Sequence, residues 1–443
     1  MVRVTALTNA LDEINPVVCS GLVEKMVGLV IEAQGPEVRI GELCVISSRL
    51  SAKGVLAEVV GFNAGKTLLM PLDFSEGIYP GATVVPTGET LGVAVGNKLL
   101  GKVLDGLGNP MDGSMLDSHK LNYPLHNVPP NPLSRPRIAE PLCLGIKAID
   151  GLLTLGKGQR LGIFSGSGVG KSTLLGMVAR NTKADVIVIA LVGERGREVR
   201  EFIERDLGAE GLTRSVIVAA TSDQPSLVRL KAAFTATAVA EFFRDQGKDV
   251  LLMMDSVTRF AMAQREIGLA IGEPPATRGY TPSVFAALPK LLERAGTSEN
   301  GSITGLYTVL VEGDDHNEPI SDAVRGILDG HVVLARDLAA KNHYPAIDIL
   351  GSVSRIMSQI VAPEHKTLAK QFREVLAIFH RARDLVEIGA YTKGSDPKID
   401  YALEKIEACE SLLRQEILEQ YDLEDTINQM IKIFEFQEGM TGV

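Results

Sequence analysis

Residues Ser165–Thr173 read SGSGVGKST. Gly166, Gly168 and Gly170 precede Lys171, and the hydroxyls of Ser172 and Thr173 follow it. The stretch sits between an apolar run, QRLGIF, and a run with helical texture, LLGMVARN. Strand, glycine-rich turn and helix in that order make a phosphate cradle. Glycines allow positive φ and close approach of the backbone to phosphate oxygens. The helix start offers free amides to the anion. The pattern G-x-x-x-x-G-K-[ST] calls for glycine at its first position, where this chain has Ser165. Every other required position is filled, so the loop geometry is the point in question. On this reading Gly166, Ser167, Gly168, Val169, Gly170, Lys171, Ser172 and Thr173 surround the phosphates. Lys171 reaches the β and γ phosphates, and Ser172 holds Mg²⁺.

Outward from the loop, strands alternate with helices from about residue 142 to 360. The predicted strands are RLGIFS (160–165), DVIVIALVG (185–193), RSVIVAAT (214–221), DVLLMMDS (249–256) and SITGLYTVLVEG (302–313). All are apolar on both faces, which indicates a parallel sheet covered by helices. Upstream, GLVIEA, ELCVIS, LAEVVGF and TLLMPL are short apolar runs separated by turn residues, as in a small antiparallel barrel or sandwich. VLDGLGNPMDG (103–113) reads as turn chemistry, and NVPPNPLSRPRIAEP (127–141) as an extended proline-rich connector. Beyond residue 365 the chain is mostly helical, with Leu403, Ile406, Leu413 and Ile417 as an apolar stripe. Val4, Leu7, Leu11 and Ile14 place an amphipathic helix in the first 18 residues, either docked on its own domain or awaiting a partner.

Three more stretches carry acids or arginines where nucleotide chemistry needs them. Asp255 ends an apolar strand, where a carboxylate orients Mg²⁺ or, alternatively, caps the next helix. Glu194, just past a strand in VGERGRE, can polarise a water in line with the γ phosphate, or belong to a surface ion-pair cluster with Arg195, Arg197 and Glu198. Arg355 stands in the otherwise uncharged stretch GSVSRIMSQ and is available as an arginine finger. Tyr344 and Tyr391 can each stack on a base or pack with a wet hydroxyl. EGDDHNE (312–318) reads as a solvated acidic loop.

Composition narrows the function classes. The chain has 443 residues, 45% of them hydrophobic and 23% charged, which suits a soluble protein of two or three domains. A net charge of -10 argues against a nucleic-acid binder held by phosphate contacts. Cys19, Cys44, Cys143 and Cys409 are far apart in sequence and read as small core residues in a reducing, cytosolic compartment. The 7 histidines lack zinc-site spacing. No apolar run reaches the roughly 18 residues of a membrane span.

DGLLTLGKGQRLGIFSGSGVGKSTLLGMVAR, LVGERGREVREF, LLMMDSVTRFAMAQREIGLAIGEPPATRGYTPSVFAALPKLLERAG and HYPAIDILGSVSRIM resemble the ATPases of type III secretion systems, the flagellar export branch most closely. These are similar to the subunits of the rotary ATP synthase head, and PPATRGYTPSVF (274–285) marks the export branch. The resemblance spans about residues 20–435. It implies an α/β fold: a RecA-like P-loop parallel-sheet core with an N-terminal β-barrel and a C-terminal helical domain. The expected divisions are 1–20 for the N-terminal helical segment, 21–95 for the barrel and 96–365 for the ATPase domain, with the 114–141 connector inside it. The helical domain follows at 366–443.

The resemblance also implies roles: Lys171 and Ser172 on phosphate and Mg²⁺, Asp255 as the Walker B acid, Glu194 as activator of the attacking water. Arg355 is implied to reach into a neighbour's site, Arg195 and Arg259 to lie near the γ phosphate, and Tyr344 to lie near adenine. In the synthase head the carboxylate and the finger are divided between two kinds of subunit. Here Glu194 and Arg355 share one chain, which calls for a homohexamer with sites at each heterologous interface. The implied activity is Mg-dependent ATP hydrolysis energising protein export. The implied partners are a regulator on the N-terminal helix, a central stalk protein, export substrates with their chaperones, and the export gate. The implied location is the cytoplasm, peripheral to the inner membrane. An injectisome ATPase and a rotary synthase catalytic subunit are the alternatives within this class. An RNA translocase and a non-hydrolysing scaffold are the alternatives outside it.

Overall fold

The computed structural model describes residues 19–73, 76–114, 121–311 and 318–434. The predicted N-terminal helix lies outside the described residues, as does nearly all of the acidic stretch from 312 on. The chain divides into two compact units, one formed by the segment ending at Gly92 with Pro225–Val228 and Ala263–Thr281, the other by Val93–Gln224, Arg229–Met262 and the chain from Pro282 on.

The first unit is built on a closed antiparallel barrel. Around it run Gly21–Val27, Val30–Gln34, Lys66–Pro71, Val55–Asn63, Glu42–Ile46 and Thr83–Thr90. Alternate residues such as Ile31, Ala33, Cys44, Ile46, Ala57 and Val59 fill the interior, as the two-residue period of a strand requires. The four apolar runs noted in the sequence are four of these six strands. The first and last, Gly21–Val27 and Thr83–Thr90, are hidden in the sequence because glutamate, lysine, proline or glycine interrupts their apolar alternation.

The second unit is a sheet with helices around it. Across the sheet the strands are Ile347–Ser354, Gly330–Leu334, Arg160–Ser165, Ser302–Leu310, Asp249–Asp255, Val186–Glu194, Ser215–Thr221 and Val103–Asp105. The six from Gly330–Leu334 to Ser215–Thr221 are mutually parallel, and Val103–Asp105 joins them in the same direction. Only Ile347–Ser354 and the short Gly296–Thr297 run against their neighbours. The strand read as DVIVIALVG is buried throughout Val186–Gly193, the mark of a strand covered on both faces. All five predicted strands of this sheet are present.

The 103–113 stretch departs from its reading as a turn. Val103–Asp105 is an edge strand, bonded in parallel to Ile217–Ala219, and the turn follows it. Three residues are too few to show a period. The Asp105 carboxylate accepts from the Leu107 and Asn109 N–H groups, so the turn chemistry is real but begins two residues later.

Helices Pro363–Glu387, Pro397–Leu413 and Leu423–Phe434 form the C-terminal region. Asp396 caps the second through the Lys398 N–H, and Pro397 opens it. Its buried positions are Ala402, Lys405, Cys409, Leu412 and Leu413, so of the expected stripe Leu413 is buried while Leu403 and Ile406 are half-buried. Ile417 lies beyond the helix end and is exposed, because the chain turns extended at Arg414. The cysteines also divide: Cys44 and Cys409 are buried, Cys143 is intermediate and Cys19 is exposed, all free thiols. Among the described residues no helix is long and apolar enough to cross a membrane.

Candidate active site

The strand Arg160–Ser165 ends at the phosphate loop, and helix Lys171–Asn181 begins straight after it. Gly168 and Gly170 take φ of 78° and 90°, so side-chain-bearing residues would be strained there. Ser165 does not take a positive φ, so the loop does not need glycine at its first position. Its side chain is buried at the strand end, and its carbonyl accepts from the Val311 N–H at 2.9 Å. Gly166 and Val169 are buried, while Ser167, Gly168 and Ser172 are exposed at the loop's outer face. The far end of the helix is fixed by Arg214, whose guanidinium donates to the carbonyls of Ala179, Arg180, Thr182 and Ala184. That cation answers the negative end of the helix dipole, and the open N-terminus faces the loop.

Lys171 Nζ lies 2.5 Å from Asp255 Oδ1. Asp255 closes the strand Asp249–Asp255, and the intervening strand contributes Thr308, whose hydroxyl donates to the same Oδ1 at 2.7 Å. The alternative of Asp255 as a helix cap does not hold: Ser256 Oγ accepts from the Arg259 N–H at the start of helix Val257–Ala270. No described residue donates to Asp255 Oδ2, which with the exposed Ser172 hydroxyl leaves two hard oxygen donors beside the loop.

Glu194 ends the next strand, Val186–Glu194. The pairing with Ser215–Thr221 slips between Val192 and Glu194, and Gly193 in the slip has φ of 70°. This bulge re-aims Glu194. A Cβ on Gly193 would lie 3.2 Å from Arg259 Cβ, so the missing side chain lets Arg259 pack against the bulge. Burial, and next the Asp255 charge, push the Glu194 carboxyl up to about 7. Arg259 Nε is buried with no hydrogen-bond partner among the described residues. Arg195 is 81% exposed and paired with Glu198, so it lies outside this cluster of buried groups.

Beside the loop a cavity of about 400 Å³ is lined by Gly168, Gly170, Thr173, Tyr344, Pro345 and the turn Arg414–Ile417. The edge of the Tyr344 ring comes within 3.4 Å of where a Cβ on Gly170 would lie. Tyr391 is elsewhere, its hydroxyl bonded to Asp400 and to the Asp396 carbonyl. The Arg414–Ile417 turn was not found from sequence. It is brought to the cavity by the Gln415 N–H, which donates to the Tyr344 carbonyl at 3.0 Å, by the Gln415 side chain, which bonds the Lys147 N–H and the Gly145 carbonyl, and by Arg180, which donates to the Ile417 carbonyl.

Arg355 is exposed, and its guanidinium has no partner among the described residues. It follows the antiparallel edge strand Ile347–Ser354, so it lies at the end of the sheet opposite the loop. Its N–H donates to the carbonyl of Asp329, beside Arg160 at the start of the loop strand. Five strand steps of about 3.3 Å separate Arg160 from Ser165, so about 17 Å of sheet stands between Arg355 and the loop of its own chain.

Glycine-rich loop, lysine, strand-end carboxylates and a neighbouring cavity, all at the C-terminal edge of one parallel sheet, define a P-loop nucleotide-binding ATPase fold. The ATP synthase alpha/beta family nucleotide-binding domain matches residues 145–354 and its beta-barrel domain residues 23–88, while the type III secretion EscN ATPase C-terminal domain matches 361–432. The chain is 57% identical to the flagellum-specific ATP synthase of Bacillus subtilis, covering 92% of this chain and 93% of that one. It is 53% identical to the type 3 secretion system ATPase of Xanthomonas euvesicatoria, covering 89% of each. The assembled ATPase EscN of enteropathogenic Escherichia coli superposes with a TM-score of 0.89 at 47% identity, over 93% of this chain and 99% of that one. The chain therefore belongs to the family of type III secretion and flagellum-specific ATPases.

Proposed function

We propose that this ATPase works as a homohexameric ring with Mg²⁺ and energises type III protein export, its task being export of flagellar subunits. The observation that carries the ring is the placement of Arg355 about 17 Å of sheet away from the phosphate loop of its own chain. An exposed guanidinium there serves a loop only across a subunit interface, and one chain holding both Glu194 and Arg355 closes such a ring with itself.

The loop amides of Gly166–Thr173 and the Lys171 ammonium bind the β and γ phosphates. Ser172 and Asp255 would hold Mg²⁺, which when bound neutralises phosphate charge. The donors fit such a cation, since Asp255 Oδ2 and the Ser172 hydroxyl are oxygens without protein donors. Glu194 takes a proton from water as its oxygen attacks the γ phosphorus. The bond from that phosphorus to the bridging oxygen breaks, and ADP leaves with the electron pair. Arg259, with its unsatisfied Nε, steadies the γ phosphate, whereas Arg195, exposed and paired with Glu198, takes no part within its own site. Tyr344 stacks on adenine. Arg355 of the neighbouring subunit meets the charge that develops on the transferred group.

The 57% identity to a flagellum-specific relative favours the flagellar branch, with the injectisome as the second reading at 53%. EscN has been solved with its central stalk EscO, and that structure matches this chain at 46% identity and a TM-score of 0.86, which supports a stalk protein as partner here. A regulator at the N-terminal helix, export substrates with their chaperones, and a cytoplasmic position at the export gate complete the proposal.

ATP hydrolysis measured across a range of protein concentration tests it. The expected result is a steep rise of specific activity with concentration, loss of activity in Glu194→Gln and Arg355→Ala, and partial recovery when those two variants are mixed. Concentration-independent activity with a normal Arg355→Ala would remove the ring and the finger together.

A further inference from the structure

Arg355 projects freely, yet the chain on both sides of it is held, the Met357 N–H after it donating to Ser354 Oγ at 3.3 Å. Its own N–H donates to the Asp329 carbonyl at 3.0 Å. The same carbonyl accepts from Gln159 Nε2 at 3.2 Å, and Gln159 Nε2 also donates to Ser354 Oγ at 3.1 Å. Ser354 is the residue before Arg355, and its hydroxyl in turn donates to the Thr154 carbonyl at 3.0 Å. One carboxamide thus bonds both the carbonyl that receives the Arg355 N–H and the hydroxyl of the residue before it.

Gln159 is 0% exposed. Its Oε1 accepts from the Gly156 N–H at 2.9 Å, so every polar atom of the amide is engaged. A buried amide is costly to desolvate, and this one offsets the cost with three hydrogen bonds, one satisfying the Gly156 N–H and two reaching the Asp329 carbonyl and the Ser354 hydroxyl. Next to it, Arg160 grips the Asp329 carboxylate through its own N–H and side chain, at 3.1 to 3.3 Å, and pairs with Glu293. The Asp329 main chain is therefore fixed from a second direction.

We propose that Gln159 is a positioning residue for Arg355: it clamps Ser354 and Asp329 so that the guanidinium is presented at a set height to the neighbouring subunit. This rests on the reading of Arg355 as a finger. Gln159 also stands at the head of the strand whose far end is its own phosphate loop, so the test must separate service to the neighbour's site from support of its own.

The test is steady-state ATP hydrolysis by the full chain, with assembly followed by sedimentation velocity, for Gln159→Met, Ser354→Ala, Arg355→Ala and the double variant Gln159→Met/Arg355→Ala. Each is also mixed with Glu194→Gln, which has a dead site and an intact arginine. A displaced finger costs on the order of 10²-fold in kcat, and KM for ATP is expected to stay as in the parent. The double variant is expected to be no worse than Arg355→Ala alone. Mixing Gln159→Met with Glu194→Gln is expected to recover activity as the Arg355→Ala mixture does. Parental kcat in Gln159→Met overturns the proposal. So does a double variant much worse than Arg355→Ala, or a Gln159→Met mixture that fails to recover while the Arg355→Ala mixture does, since Gln159 would then support its own loop. A normal Arg355→Ala rejects the finger itself, and that result is distinct from the others. If Gln159→Met does not assemble, Ser354→Ala removes an acceptor of the same amide and is judged by the same criteria.

Discussion

Lys171 opens the phosphate-loop helix, and Asp255 closes a strand two places away in the sheet; their charged groups meet at 2.5 Å. Thr308, on the strand between them, donates to the same carboxylate oxygen. One cation, one anion and one hydroxyl thereby tie three neighbouring strand ends together at the mouth of the loop. Removing either charge leaves its partner uncompensated in a part-buried setting. Lys171→Ala and Asp255→Asn are each expected to lower kcat by about 10²–10³-fold, the usual loss for one charge-stabilising donor. Lys171→Ala should also weaken binding of a fluorescent ATP analogue. Near-parental turnover in either variant would exclude the assigned role.

Glu194 supplies a pH signature. Burial and the Asp255 charge hold its carboxyl at about 7, and only the carboxylate can accept a proton from water. The plot of kcat/KM against pH is expected to rise through a single-proton limb centred near 7. Glu194→Gln should lose the limb along with the activity. A limb centred near the ordinary glutamate value of about 4.3 would mean that another group limits the reaction.

Tyr344 offers a separation of binding from chemistry. The edge of its ring lies beside Gly170, and the residue lines the cavity. Base stacking on an aromatic ring contributes about 1–3 kcal/mol, so Tyr344→Ala is expected to raise KM for ATP by roughly ten- to a hundredfold with kcat little changed. Tyr344→Phe should behave as the parent. Equal KM in all three proteins would move the base elsewhere.

Asp150 is a stability test away from the chemistry. It is 0% exposed and accepts from the Leu144, Gly145 and Ile146 N–H groups. Burial nevertheless outweighs those bonds and pushes its carboxyl up to about 6. The folded chain therefore binds a proton that the unfolded chain has lost between about pH 4 and 6. The stability this group contributes is full below about pH 4 and falls away as pH rises through 6. Calorimetry of the parent against Asp150→Asn should show the parent's relative stability falling by roughly 3 kcal/mol across that window. A constant difference from pH 4 to 7 would be the contrary finding.

Much of the central sheet was readable in advance because its cause is local. A run such as RLGIFS is apolar on both faces wherever it occurs, and glycines before a lysine and a hydroxyl make a loop by their own conformational freedom. Short or mixed segments were not readable. Val103–Asp105 is a strand only because Ser215–Thr221 lies beside it to take its hydrogen bonds. The Arg414–Ile417 turn reaches the cavity through a bond to the Tyr344 carbonyl, from a segment with no motif of its own. The Arg195 that sits next to Glu194 in sequence faces outward, while Arg259, far along the chain, packs on Gly193.

The amino-acid order alone set the inventory: a phosphate loop with its lysine and hydroxyls, strand-end acids, an arginine without a local acid, and the alternation that builds a parallel sheet. Those are properties of short stretches, governed by φ preferences, side-chain period and residue chemistry. Which of these groups meet was decided in three dimensions. Strand order puts Asp255 against Lys171 and lets its charge raise Glu194, because Coulomb energy and desolvation depend on distance and burial rather than on sequence separation. Strand direction sends Arg355 to the opposite edge, where Gln159 holds its root, because an antiparallel edge strand ends where its parallel neighbours begin.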